Sequence, residues 1–271
     1  GGSDQNYPAK IAEICNWFHE EDPYHLPTIG DNKAKGNDTL AVAMCDEVAK
    51  AGGVVGFNYA NRDQYINLRN AHPDWILYGS ETSSAFHSRD VYWTDGRDND
   101  NLLCTDYENE ESRAGWGHSA STAWRIAEAD EWNLGEFVWT GFDYLGEPTP
   151  WNGIGTGSVS QQGPAPRSSY FGIVDTTGFP KDIYYLYHSL WNDNVRTLHI
   201  SDSWNSKLLK NGNQVKVQVF TDADKVVLEC NGKEIGTKLA VQNSVGRNEF
   251  DGQYFAQFTL EYEPGTISVK A

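Results

Sequence analysis

Two apolar runs constrain what this chain can fold into. Val54-Val55-Gly56-Phe57-Asn58-Tyr59 and Trp75-Ile76-Leu77-Tyr78-Gly79-Ser80-Glu81 are continuous rather than alternating, and each ends on polar groups. A strand that is apolar on both faces needs cover on both, which is the condition of a parallel sheet between helices. Helical patterns flank the runs. Ile11, Ile14, Cys15 and Phe18 fall at helical spacing over 10–20, and Leu40, Met44, Val48 and Ala51 do so behind the capping pair Asn37-Asp38, with Gly52-Gly53 as the stop. Residues 64–70, 119–131 (Ala120, Ala123, Trp124 and Ala127 inward) and 181–191 read as further helices. With strands expected near 26–30 and 135–143, helices and strands alternate along the chain, the order of a parallel β/α architecture. That supplies about half of the eight strands of a closed barrel. The pattern therefore fits a small open α/β sheet or the second half of a TIM (β/α)8 barrel.

From about residue 195 the pattern changes. Segments 195–201, 214–221, 225–230, 254–262 and 266–270 alternate apolar and polar residues, and Asn211-Gly212 and Asn231-Gly232 supply hairpin-type turns. This reads as an immunoglobulin-like β-sandwich. The expected organisation is an α/β domain over 1–192 followed by an all-β domain over 193–271.

The formal net charge of -17 excludes a nucleic-acid backbone or an anionic membrane as partner and favours neutral or cationic ligands. No apolar run approaches a membrane span. No signal-peptide pattern opens the chain, although a segment removed before residue 1 would leave no trace. Cys15, Cys45, Cys104 and Cys230 are far apart and form no Cys-x-x-Cys pair, so they read as free buried thiols. That leans towards a reducing, cytoplasmic compartment without excluding a secreted or cell-surface one. The 10 Trp, 14 Tyr and 11 Phe supply bulky core and also suit carbohydrate binding.

The candidate chemistry gathers at strand ends. Glu136-Phe137-Val138-Trp139-Thr140-Gly141-Phe142-Asp143-Tyr144-Leu145-Gly146-Glu147-Pro148 runs from an apolar strand into aromatics, carboxylates and a Gly-Glu-Pro turn. Barrel enzymes keep their chemistry at such C-terminal strand ends, and an indole beside carboxylates suits a sugar ring with its hydroxyls. Glu81 ends a buried strand before Thr82-Ser83-Ser84; it is placed either to attack an anomeric carbon or to cap the following turn. Tyr59 ends the preceding strand, where its phenol can orient Glu81 or pack at the rim. Asn58 can bond a sugar hydroxyl or satisfy strand-end backbone. Trp139 is a sugar platform or a core residue. Asp143 and Glu147 bond hydroxyls, or pair with Arg167 or Lys181 as structural ion pairs. Gly153-Ile154-Gly155-Thr156-Gly157 lacks the spacing of a dinucleotide loop. Residues 95–101 do not fit a calcium loop, and the seven His show no zinc spacing.

These residues resemble glycoside hydrolase family 2, and most closely its β-galactosidases. Gly79-Ser80-Glu81-Thr82-Ser83-Ser84 is similar to the nucleophile segment, and 135–150 to the eighth barrel strand. Ser168-Ser169-Tyr170-Phe171-Gly172-Ile173-Val174-Asp175 and Gly178-Phe179-Pro180-Lys181-Asp182 resemble the segment that follows, and Val226-Val227-Leu228-Glu229-Cys230-Asn231-Gly232-Lys233 the sandwich after the barrel. The resemblance implies a retaining, double-displacement hydrolase of terminal β-galactosides. In it Glu81 is the nucleophile, Tyr59 its hydrogen-bonding neighbour and Trp139 a wall of the galactose pocket. Asn58, Asp143 and Glu147 are further substrate contacts.

The family's acid/base Glu lies in an Asn-Glu dipeptide ending the fourth strand, and none precedes residue 81; Asn109-Glu110 and Asn248-Glu249 come too late. The resemblance thus implies a carboxy-terminal fragment lacking the proton donor and inactive alone. Its expected partners are the β-galactoside, the missing amino-terminal part or a second copy. No cofactor or metal site follows from these residues, while Mg or Na is compatible with the intact enzyme. Another family 2 specificity, β-glucuronidase or β-mannosidase, is the alternative within the class. A glucuronidase needs a cation for the substrate carboxylate, which the acidic balance disfavours. A non-catalytic carbohydrate-binding protein is the alternative outside the class.

Overall fold

The computed structural model describes residues 6–98, 101–149, 151, 166–201, 204 and 207–271; the Gly153 to Gly157 segment lies outside them. Helix α1 (Tyr7–Glu21) opens with Pro8 in its first turn, where a missing N–H costs no helical bond. Strand β1 (Thr28–Asp31), helix α2 (Thr39–Lys50), strand β2 (Val54–Asn58), helix α3 (Arg62–Ala71) and strand β3 (Ile76–Ser83) follow. Next come the short strands β4 (Arg97–Asp98) and β5 (Leu103–Cys104), helix α4 (Ala120–Glu128), strand β6 (Asn133–Trp139) and helix α5 (Asp182–Trp191). The remainder is all strand: β7 (Leu198–Ile200), β8 (Gln214–Thr221), β9 (Lys225–Cys230), β10 (Lys233–Leu239), β11 (Val241–Gln242), β12 (Asn248–Glu249), β13 (Ala256–Glu261) and β14 (Ile267–Lys270). The architecture is mixed: an α/β part with a parallel sheet, then antiparallel β-sheets.

The chain forms two compact units. The first comprises 1–83, 116–118 and 122–139. Its parallel sheet has the order β1-β2-β3-β6. Val55, Phe57, Trp75 and Leu77 pack with Tyr65 and Leu68 of α3 and with Ala41 and Cys45 of α2. The Asp38 side chain accepts from Ala41 N at 2.9 Å and starts α2 as expected. The inward face is turned one residue from expectation: Ala41, Cys45 and Val48 are buried, while Leu40 and Met44 are only half-buried. Small side chains on that stripe let the helix lie close to the sheet. On α1 only Cys15 of the expected face is fully buried; Phe18 is 58% exposed and Ile14 38%. Strand β6 also departs from expectation. It ends at Trp139 rather than 143, and Leu134 and Phe137 are 65% and 68% exposed. It is an edge strand, pairing only with β3 among the described residues.

Thr82 and Glu136 meet between β3 and β6. Thr82 Oγ1 donates to Glu136 Oε2 at 2.6 Å, while Oε1 is shut from water and has no hydrogen-bond partner among the described residues. Burial pushes the Glu136 carboxyl up to about 7, against the bond from Thr82.

The second unit comprises 84–115, 119–121 and 140–271. Two three-stranded antiparallel sheets, β10-β9-β14 and β13-β8-β7, share one core. Alternate residues fill it: Val215, Val217 and Val219 from β8, Val226, Leu228 and Cys230 from β9, Ala256, Phe258 and Leu260 from β13. Asn231-Gly232 makes the β9–β10 turn, with φ of 52° and 77°, the left-handed pair that a tight hairpin demands. Strands β10, β11 and β12 carry little apolar alternation and escaped the sequence pattern. The units divide the chain elsewhere than near 192, because 84–115 packs on β8. Glu108 N donates to Gln218 Oε1 at 2.9 Å, and Gln218 Nε2 returns a bond to Glu108 O at 2.7 Å. The Glu108 carboxylate, 1% exposed, accepts from Ser121 N at 2.9 Å, and burial pushes it up to about 7. All four cysteines are free and buried.

Leu228 is fully buried and Leu239 is 66% exposed on the same sheet. Leu228→Ala is expected to cost about 2–5 kcal/mol of unfolding free energy in urea, and Leu239→Ala less than about 0.5 kcal/mol. The pH dependence has a definite sign. A carboxyl raised from its ordinary 4.5 to about 7 holds its proton longer in the folded state, so its contribution is lost as pH rises from 4.5 towards 7. Glu136→Gln should flatten that fall, gaining stability over wild type at pH 8 relative to pH 5; Glu108 keeps part of the slope. Urea midpoints at the two pH values measure it.

Candidate active site

The site is made by a slip in strand register. Between β2 and β3, Phe57 pairs with Gly79 but Asn58 with Glu81, so β3 carries one extra residue. The pairing of β3 with β6 shifts over the same stretch, from Gly79↔Glu136 to Thr82↔Val138. A bulge of this kind re-aims the side chains beyond it. In a regular strand Ser80 and Glu81 would point to opposite faces. Here both reach Asn58: Ser80 Oγ donates to Asn58 Oδ1 at 2.8 Å, and Asn58 Nδ2 donates to Glu81 Oε2 at 3.3 Å. Thr82 then turns to the helix side, where it meets Glu136.

Tyr59 completes the arrangement. Its hydroxyl donates to Glu81 Oε1 and its backbone N–H to Glu81 O at 2.8 Å. Tyr59 has φ of 54°, and Ser83 and Ser84, just past Glu81, have φ of 65° and 62°. Side chains other than glycine enter this left-handed region at a cost of about 1–3 kcal/mol each, and such residues cluster at functional sites. Lys35 reaches the same place, donating from Nζ to the Asn58 carbonyl; burial lowers its pKa. The Glu81 carboxylate is thus held at both oxygens by neutral donors, and Asn58 is itself fixed by Ser80.

The face that carries Glu81 is lined by small residues and rings. A Cβ on Gly56 would come within 2.5 Å of Ser80 Cβ and 2.6 Å of the Tyr78 ring, and one on Gly30 within 3.1 Å of Ser80 Oγ. Tyr78 packs edge-on against Phe137 at 5.7 Å. Alternation along β6 from Phe137 puts Trp139 on this same face, with Glu136 and Val138 on the helix side. Four of the residues singled out in the sequence, Asn58, Tyr59, Glu81 and Trp139, therefore share one sheet face at the C-terminal strand ends.

Asp143 and Glu147 belong to the second unit. Asp143 lies beyond the end of β6, in the turn after it. Its oxygens accept from Lys181 Nζ at 2.8 Å and Gly172 N at 2.7 Å, and the Lys181 side chain is 1% exposed. Burial raises the Asp143 pKa, with Lys181 opposing it. This is the structural pairing that the sequence left open. Glu147 is exposed and accepts from Tyr144 OH at 2.5 Å. Sequence reasoning missed Ser80, Thr82, Glu136 and Lys35. Ser80 acquires its place only through the bulge, and no periodicity marks a bulge. Glu136 alternates with apolar neighbours and was read with the apolar strand.

Comparison with known proteins places the chain. A family model described as a domain of unknown function, DUF4982, matches residues 212–271. The β-galactosidase BoGH2A of Bacteroides ovatus is 33% identical over 265 residues, covering 92% of this chain and 27% of that protein. A putative β-glucuronidase of Formosa agariphila is 34% identical over 150 residues, 55% of this chain and 13% of that protein. Among solved structures, a β-glycosidase from Bacteroides vulgatus shares the fold with a TM-score of 0.69 at 22% identity, over 97% of this chain and 32% of that one. The chain spans about a quarter of the first of these relatives and less of the second. By sequence likeness over 92% of its length, the chain belongs to glycoside hydrolase family 2.

Proposed function

We propose that this chain supplies the nucleophile side of a retaining β-galactosidase. Residues 1–192 would form the second half of a (β/α)8 barrel and 193–271 an immunoglobulin-like domain. The observation that carries the reading is Glu81 on a bulged parallel-strand end, held by Tyr59 OH and Asn58 Nδ2. Tyr59 fixes Oε1. Oε2 has the longer bond, from Asn58, and is the oxygen free to attack the anomeric carbon. The glycosyl-enzyme so formed is released by water, which needs a second carboxyl about 5–5.5 Å from the first as acid and then base. That group is proposed to come from the part of the relatives that this chain does not span. The barrel reading draws support from the edges β1 and β6 of the parallel sheet and from the exposed Phe137 on the Glu81 face, which a closed barrel would cover. A complementary stretch of chain, or a second copy, is the partner it calls for.

In this reading Trp139 stacks on the sugar and the remaining Asn58 amide hydrogen meets a hydroxyl. Glu147, exposed on the second unit, is proposed as a hydroxyl acceptor by itself. Asp143, saturated by Lys181 and Gly172, shapes the turn rather than reaching the sugar. β-Glucuronidase is the second reading, favoured by the Formosa relative and by Lys35, the ammonium beside Asn58 that could meet a uronate carboxylate.

The complete protein, offered a panel of nitrophenyl glycosides, should prefer the β-galactoside; preference for the glucuronide, lost in Lys35→Met, would favour the second reading. Glu81→Gln should lower turnover at least about 10⁴-fold, and a 2-deoxy-2-fluorogalactoside should leave its added mass on the peptide containing Glu81. Label on another carboxylate removes Glu81 from the role. Tyr59→Phe should cost about 10–10² in kcat. Assayed by itself, the 271-residue chain should be at least about 10²-fold slower than the complete protein, for want of the proton donor.

A further inference from the structure

We propose a carbohydrate-binding cleft on the second unit, built without Glu81 or its sheet. The outer face of β8 is covered over only part of its length. At its C-terminal end Gln218 bonds the backbone of Glu108, and the Phe220 ring packs near His199 and Phe255. The cover stops at Tyr107, whose hydroxyl donates to Lys216 O at 2.6 Å. Beyond that point the face opens into a cleft of about 420 Å³, lined among others by Trp93, Asp95, Leu208, Gln214, Lys216 and Thr259. Lys216 and Thr259 are cross-strand neighbours on β8 and β13, so their polar groups stand side by side at sheet spacing.

The lining selects its ligand. Trp93 is 40% exposed and Leu208 54%, although the Tyr92 and Tyr107 rings beside Trp93 are buried and packed at 5.0 Å. An indole left open in a concavity offers a flat apolar face. The same cleft is lined by an amide, an ammonium and a hydroxyl, those of Gln214, Lys216 and Thr259. Asp95 and Lys216 neutralise one another at 2.5 Å, so the cleft carries no net charge for an ionic ligand. An apolar peptide would strip water from these polar groups and leave them unpaired. A nucleic acid is repelled by the charge of the chain. A neutral saccharide satisfies both kinds of lining: the C–H face of a pyranose lies on Trp93, and its hydroxyls meet Gln214, Lys216 and Thr259. The volume falls in the lower half of the range for small-molecule sites, room for about one or two rings. The assignment rests on this lining and not on the role of Glu81.

The test is calorimetric titration of the chain with β-1,4-galactotriose, in four variants. Trp93→Ala should weaken binding at least about tenfold, and Trp93→Phe, which keeps a flat ring, by less than about threefold. Thr259→Arg, at an exposed sheet position, should block the cleft without touching the core, so loss of binding there does not depend on the folding of the Trp93 variants. Unchanged binding in both Trp93→Ala and Thr259→Arg overturns the proposal, as does absence of any binding by the wild-type chain. Loss in Trp139→Ala alone would place the sugar on the Glu81 face, overturning the cleft while leaving the proposed function intact.

Discussion

The one-residue slip between β2 and β3 is the constraint on which the rest of the first unit depends. Up to Phe57 and Gly79 the two strands are an ordinary parallel pair, with Val55, Phe57 and Leu77 packed under the helices. After the slip, Ser80 and Glu81 share a face, and a carboxylate that regular alternation would send into the apolar layer is turned out of it. Thr82 takes the inward place instead and is met by Glu136. The glycines follow from the same geometry. Gly30 and Gly56 leave the room that Ser80 and the Tyr78 ring occupy, and a methyl at Gly56 would collide with both. Left-handed backbone at Tyr59, Ser83 and Ser84 is the local cost of bringing three strand-end side chains together.

Burial makes the polar groups behind the site costly to charge. Glu136 is a carboxyl with one oxygen that finds no partner among the described residues, and burial works against its charge. The second unit repeats the theme on a larger scale. Lys181 and Asp143 pair out of water, Asp182 takes Tyr92 OH at 2.8 Å and His199 Nε2 at 2.7 Å, and burial beside Asp182 holds Asp106 well above the carboxylate range. Apolar residues of similar volume would serve a core as well or better. What such a network supplies is a single arrangement: Asp143 takes both Lys181 Nζ and the Gly172 N–H, which fixes these three residues relative to one another.

How far the sequence could be read follows from what each feature depends on. The strands β2 and β3, the capped helix α2 and the sandwich strands β8, β9 and β13 were legible because their signal is local: an apolar period, a cap, a tight turn. Glu81, Tyr59 and Asn58 were legible for the same reason, since they end strands already recognised. The face of α2 was misjudged because Leu40 and Met44 are more apolar than Ala41 and Cys45, whereas close packing selects for small size. The burial of α1 and β6 was misjudged for a different reason. Apolar character predicts that a surface wants cover, not that the described residues supply it, and Phe18, Leu134 and Phe137 stay open. Ser80, Thr82 and Glu136 were illegible because a bulge is a relation between two strands, written in neither.

The bulge also decides how firmly Glu81 is held. Tyr59 and Glu81 are joined twice, by side chain and by backbone, so neither can move without breaking the β2–β3 ladder. Trp139 ends an edge strand and pairs with Ser83 in the β3–β6 ladder. A carboxylate proposed to meet one atom needs such a double tether, because small displacements of a reacting group are costly. Both strand ends are joined through β3, which pairs with Asn58 on one side and with Trp139 on the other.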